Sequence, residues 1–135
     1  MPVTIRPVAD VIAWAGSDLP AWAEDARLMA VQSLQHEDGP ARTVILEAVT
    51  EDGQTVGFLV LELGPGEAES PMLHFVARDP ERRGAGIGRA LFREACRRCC
   101  GRPIEAMGVG SEGPAAMRRW GFVLRPDGFW EYDGE

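Results

Sequence analysis

Three glycines at alternate positions, Gly84, Gly86 and Gly88, follow an apolar run that ends at Arg78 and lead into a stretch with helical spacing that begins at Ile87. Glycine lets backbone approach a ligand closely, and successive amides in such a run converge on one concavity. A helix start directly behind them adds the positive end of its dipole, so the chemistry on offer is the binding of a compact anion. Arg82 and Arg89 flank the run, and guanidinium forks match phosphate oxygens; the other reading of each is a solvated surface charge. Two familiar phosphate cradles fail on residue type. A Walker loop ends in Gly-Lys-Ser/Thr and the chain contains no lysine, while a dinucleotide fingerprint requires glycine where Arg89 stands.

Charge supports a local anion site. The chain of 135 residues carries a formal net charge of -7, yet between Arg78 and Arg119 ten arginines face five acids, a balance of +5, against -12 elsewhere. A basic segment on an acidic protein favours a small phosphate ligand over nucleic acid, and no nucleic-acid partner is expected. Hydrophobic residues at 45% and charged residues at 26% exclude a disordered chain. Apolar runs such as Phe58 to Leu61 are far too short to span a membrane, and no secretory leader is evident, so the expectation is a cytoplasmic protein with no membrane partner. Cys96, Cys99 and Cys100 cannot complete a disulfide framework and read as small core-facing residues on a helix. Neither His36 nor His74 has a zinc-like spacing to them, and no metal is expected.

The elements that must hold the glycine run follow from hydrophobic periodicity. Val3 to Ile5 predicts a short strand, Asp10 caps a short helix ending at Gly16, and a second helix opens at Asp18-Leu19-Pro20 and stops at His36 to Pro40. Thr43 to Thr50 and Thr55 to Leu63 predict a hairpin, and Met72 to Arg78 a third long strand. Ile87 to Cys100 predicts an amphipathic helix. Pro103 to Val109 predicts a strand, Pro114 to Trp120 a short helix, and Phe122 to Leu124 with Phe129 to Tyr132 a closing hairpin. Residues 1–135 thus form a single α+β domain.

The segment Arg83-Gly84-Ala85-Gly86-Ile87-Gly88 matches the R-x-x-G-x-G signature of the GNAT N-acetyltransferases, and a later helix ends in a Gly121-Phe122 pair. The chain resembles that family in these motifs and in the order of its elements. The resemblance implies a mixed, mostly antiparallel, twisted sheet flanked by helices in three layers and splayed near Val76. It implies acetyl-CoA as cosubstrate, with the pyrophosphate on the amides of Arg83, Gly84, Ala85, Gly86, Ile87 and Gly88 and the pantetheine arm along the strand at Val76. The activity implied is transfer of acetyl to a primary amine of a small molecule or peptide by direct attack on the thioester. The alternative is a catalytically silent acyl-CoA-binding regulatory module.

Such a reaction needs a donor for the developing oxyanion, here the backbone amide near Val76, and a base for the acceptor amine. His74, two residues before Val76 and expected on the same strand face, is the candidate base, its other reading being a partly buried strand histidine or a pantetheine neighbour. Glu69 and Glu62, on the preceding loop and strand, are further carboxylate candidates. The family's usual tyrosine, which protonates the departing thiolate, is replaced here by Met117, and the one tyrosine is Tyr132 in the closing hairpin. Trp14 and Trp22 fall in the early helices that shape the acceptor site in this family, or else fill the core. In the family the C-terminal hairpin is a dimer surface, and a homodimer is the expectation carried from it.

Overall fold

Apolar runs bounded by turn residues set the sheet. In the computed structural model, which describes residues 2–64, 70–82, 86–107 and 113–133, the strands are β1 (Val3–Pro7), β2 (Thr43–Thr50), β3 (Thr55–Glu62), β4 (Met72–Arg78), β5 (Ile104–Ala106), β6 (Val123–Leu124) and β7 (Trp130–Tyr132). The helices are α1 (Val11–Ala15), α2 (Glu24–Leu34), α3 (Gly39–Arg42), α4 (Ile87–Arg98) and α5 (Gly113–Arg119). The sheet runs β1-β2-β3-β4-β5-β7-β6, and every neighbouring pair is antiparallel except β4 and β5. A parallel pair needs a crossover, which α4 supplies.

Helices cover both faces of the sheet. Leu46, Leu59, Leu61, Leu73 and Val76 pack with Ile87, Leu91 and Phe92 of α4 on one face. Ile45, Phe58, Val60 and Ala77 pack with Trp14, Ala26 and Ala30 of α1 and α2 on the other. Burial on both faces explains why β2 and β3 read as nearly unbroken apolar runs. Each large aliphatic side chain so enclosed contributes about 1.5–3 kcal/mol. Trp14 meets Phe58 edge-on at 5.1 Å and Trp22 stacks on it at 5.6 Å, so both tryptophans serve this core. Gly57 sets how close α4 lies: a Cβ there would stand 2.7 Å from Ile87 Cγ2 and 3.1 Å from Leu91 Cδ1.

Two local expectations are corrected. The stretch after α2 does not simply stop; Asp38 takes a left-handed φ of 57° and the chain restarts as α3 with Pro40 in its first turn. Packing drives this, because a Cβ on Gly39 would fall 2.3 Å from the Leu34 carbonyl oxygen, and Thr43 Oγ1 bridges Gly39 O and Ser33 Oγ. The cysteines also divide. Cys99 is buried, and burial pushes its thiol up to about 11, whereas Cys100 lies exposed beyond the helix end with a φ of 55°. No helix among the described residues is long and apolar enough to cross a membrane.

The seam between β4 and β5 is short. The two strands pair only at Met72↔Glu105 and Leu73↔Ala106, so beyond Leu73 the β4 edge at Val76 has no strand partner among the described residues. Its other edge carries a bulge. Register passes from Val60↔Phe75 to Leu61↔Leu73, which leaves His74 as the extra residue.

Candidate active site

The glycine run leads into α4 through a tight turn. Asp79, buried at the end of β4, donates its backbone N–H to Val56 O at 2.9 Å, and its carboxylate accepts from Glu81 N at 3.0 Å. Gly86 follows as the cap of α4 with a φ of 71°, a conformation that favours glycine, and no atom of the described residues lies within 4 Å of a Cβ built there. Among the described residues the first backbone bond into the helix comes from Ala90 N to Gly86 O, and the earlier amides of α4 meet no backbone acceptor there, as is usual at a helix start. Arg78, Arg82, Arg89 and Arg119 surround this point in a cleft of about 290 Å³ with Gly86, Ile87 and Gly88. Arg82 reaches Gln54 Oε1 at 2.7 Å, which ties it to the β2–β3 turn. A second cleft of about 450 Å³ shares Arg89 and Trp120 and runs on past Phe92, Arg93 and Tyr132. Arg83, Gly84, Ala85 and Glu69 lie outside the described residues. Arg78 and Arg119 were not singled out by sequence; the basic balance from 78 to 119 was the available signal.

On the opposite face of the sheet lies a polar cluster. Glu62, the last residue of β3 and only 6% exposed along its side chain, accepts from His74 Nε2 at 2.7 Å, His36 Nδ1 at 2.9 Å and Arg42 Nη2 at 3.0 Å. Arg42 is fixed in turn, donating to Leu63 O and Glu37 O at 2.9 Å each. These residues, with Met72 and Glu105, line a cleft of about 580 Å³. The expectation that His74 shares a face with Val76 is therefore corrected. Val76 packs beneath α4, and the bulge turns His74 to the α2 face beside Phe75. Glu62, a secondary candidate from sequence, is the centre of the cluster. His36 and Arg42 were missed, because 26 and 20 residues separate them from Glu62.

Burial pushes the Glu62 carboxyl up, but the hydrogen bonds from His36 and His74 outweigh it and hold the group below its ordinary value. An ionised carboxylate only accepts, so Nε2 of His74 carries its proton toward Glu62, and Nδ1 has no hydrogen-bond partner among the described residues. A carboxylate lowered in the folded state adds stability above its unfolded value, which is lost as pH falls through the folded one. Thermal melts are therefore expected to show wild type losing its margin over Glu62→Gln as the pH drops below the carboxylate range.

Residues 8–122 match the model of the acetyltransferase (GNAT) family. The chain belongs to the GNAT acetyltransferase family. Over 113 residues it is 29% identical to an L-2,4-diaminobutyric acid acetyltransferase of Nocardia farcinica, a match that covers 78% of this chain and 57% of that enzyme. The GNAT chain described here thus spans just over half the length of that curated relative. Among solved structures it resembles the GNAT-family protein YhbS of Escherichia coli in complex with CoA, with a TM-score of 0.68 and 21% identity over 96% of this chain and 80% of that one. It also resembles KacTA in its complex with DNA, with a TM-score of 0.69 and 19% identity over 97% and 92%. At these identities the likeness concerns the fold, and the seven-stranded mixed sheet flanked by helices is the GNAT fold. Met117, at the family's tyrosine position, is 1% exposed within the α4-side core.

Proposed function

We propose that this GNAT protein is an acetyl-CoA-dependent N-acetyltransferase acting on a primary amine of a small molecule or peptide. The observation that carries the reading is the placement of two clefts on opposite faces of the sheet. The arginine and glycine cleft lies on the α4 side and the His74–Glu62 cluster on the α2 side, with β4 between them and paired to β5 among the described residues only at Met72 and Leu73. The cleft suits CoA: its glycine edge leaves room where a side chain would stand, and four guanidinium groups answer the phosphates. When bound, acetyl-CoA supplies an activated acetyl group as a thioester.

The chain's own residues account for the rest. The β4 edge beyond Leu73, which has no strand partner among the described residues, offers backbone hydrogen bonds to an extended arm, in the manner of an added strand, and an N–H near Val76 for the developing oxyanion. Nδ1 of His74 takes the proton from the acceptor ammonium, and Glu62 holds the ring in the matching tautomer and stabilises its charged form. Glu62 and Glu105 line the cleft an acceptor amine would enter, each already paired with an arginine, Arg42 and Arg125. The relative's name, with a diamino acid as substrate, supports a small amine as acceptor.

A second reading, a silent acyl-CoA-binding module, is favoured by Met117, whose buried thioether cannot protonate a leaving thiolate. Calorimetry with acetyl-CoA, CoA and dephospho-CoA, followed by an amine screen over diaminobutyrate, polyamines, aminoglycosides and a peptide N-terminus, separates the two. The transferase reading expects binding together with amine-dependent thiol release. The module reading expects binding alone, and no binding would remove both.

A further inference from the structure

Glu62 serves three partners of different kinds. Arg42 is a permanent cation locked by two backbone carbonyls, and His74 is 14% exposed at the β4 bulge. His36, on the turn after α2, is 51% exposed and donates from Nδ1 to the same carboxylate. The two imidazole rings lie 6.3 Å apart, centroid to centroid, with a tilt of 50°. Among the described residues, the charged or titratable groups that meet His36 or its carboxylate are Glu62 from β3, Arg42 from α3 and His74 from β4. Glu105 of β5 lines the same cleft and is itself held by Arg125.

We propose that His36 is a positioning residue for the transfer reaction, acting through the Glu62 carboxylate it shares with His74 to set how readily His74 takes up the acceptor's proton. The inference rests on the transferase reading above. The hydrogen bond from His36 fixes the carboxylate in the orientation that meets Nε2 of His74. When His36 is protonated from solvent, its charge faces the same carboxylate and opposes a second positive charge on His74. The two rings thus meet through one carboxylate, the exposed member from the turn after α2 and the enclosed one from β4.

Two variants separate charge from hydrogen bond. His36→Gln keeps an amide donor and removes the charge, while His36→Ala removes both. The acid limb of kcat/KM is expected to move to higher pH in His36→Gln, which removes the charge alone. Only His36→Ala should also lower kcat, by about threefold to tenfold, with KM for acetyl-CoA unchanged. A second readout needs no turnover. The chain has two histidines, so His36→Gln leaves a single imidazole C2–H resonance in the proton NMR spectrum, that of His74. Its titration midpoint is expected to rise relative to wild type. An unmoved midpoint in a folded, active His36→Gln protein would overturn the inference. Absence of amine-dependent turnover in wild type, with a shifted midpoint, would instead overturn the transferase reading and the catalytic role with it while leaving the coupling in place.

Discussion

Replacing Gly86 by glutamate is expected to lower the affinity for acetyl-CoA by about a hundredfold or more, a loss of roughly 3 kcal/mol. Gly86 caps α4 with a positive φ, and its missing side chain opens onto empty space beside four arginines. A carboxylate there would occupy the position intended for phosphate and would pair with the same guanidinium groups. The left-handed backbone adds strain of about 1 kcal/mol for any side chain, so Gly86→Ala serves as the control. Alanine should cost similar stability in a thermal melt and far less affinity by calorimetry. Equal losses for the two variants would mean that the cap matters only for folding.

The second large effect concerns the base. His74→Gln is expected to reduce kcat by about a hundredfold to ten-thousandfold, with the dissociation constant for acetyl-CoA unchanged. Glutamine keeps a donor toward Glu62 and has no basic nitrogen, so the hydrogen bond at 2.7 Å has a replacement while proton uptake has none. The deficit should shrink as pH rises, because the acceptor then arrives increasingly as the free amine. A variant with full activity at neutral pH would assign His74 a structural role at the bulge.

The elements that place these residues were legible wherever local sequence decides them. β2 and β4 match their expected limits to the residue, since β2 is an apolar, β-branched run and β4 a largely apolar one, each between turn residues. α4 begins at Ile87 as its amphipathic spacing predicts, and Asp10 caps α1 by accepting from Ala13 N. What escaped was set by contacts between distant segments. The bulge at His74 depends on how β4 pairs with β3, and a one-residue slip reverses the face, so a period-two pattern put His74 on the side of Val76. α3 restarts because Gly39 packs against the Leu34 carbonyl, a close approach that residue propensities do not encode. The Glu62 cluster joins residues 36, 42, 62 and 74, and only the folded sheet brings them to one cleft.

The most direct test is a side-by-side measurement of CoA release and N-acetylated product by wild type and His74→Gln, each supplied with acetyl-CoA and a panel of small amines. The account predicts that one class of amine drives thiol release in wild type with one acetylated product per CoA, and that His74→Gln binds acetyl-CoA normally while turning over at least a hundredfold more slowly. Tight binding of acetyl-CoA by wild type with no amine-dependent release across the panel would contradict it, and would leave the arginine cleft as the sensor of a regulatory module.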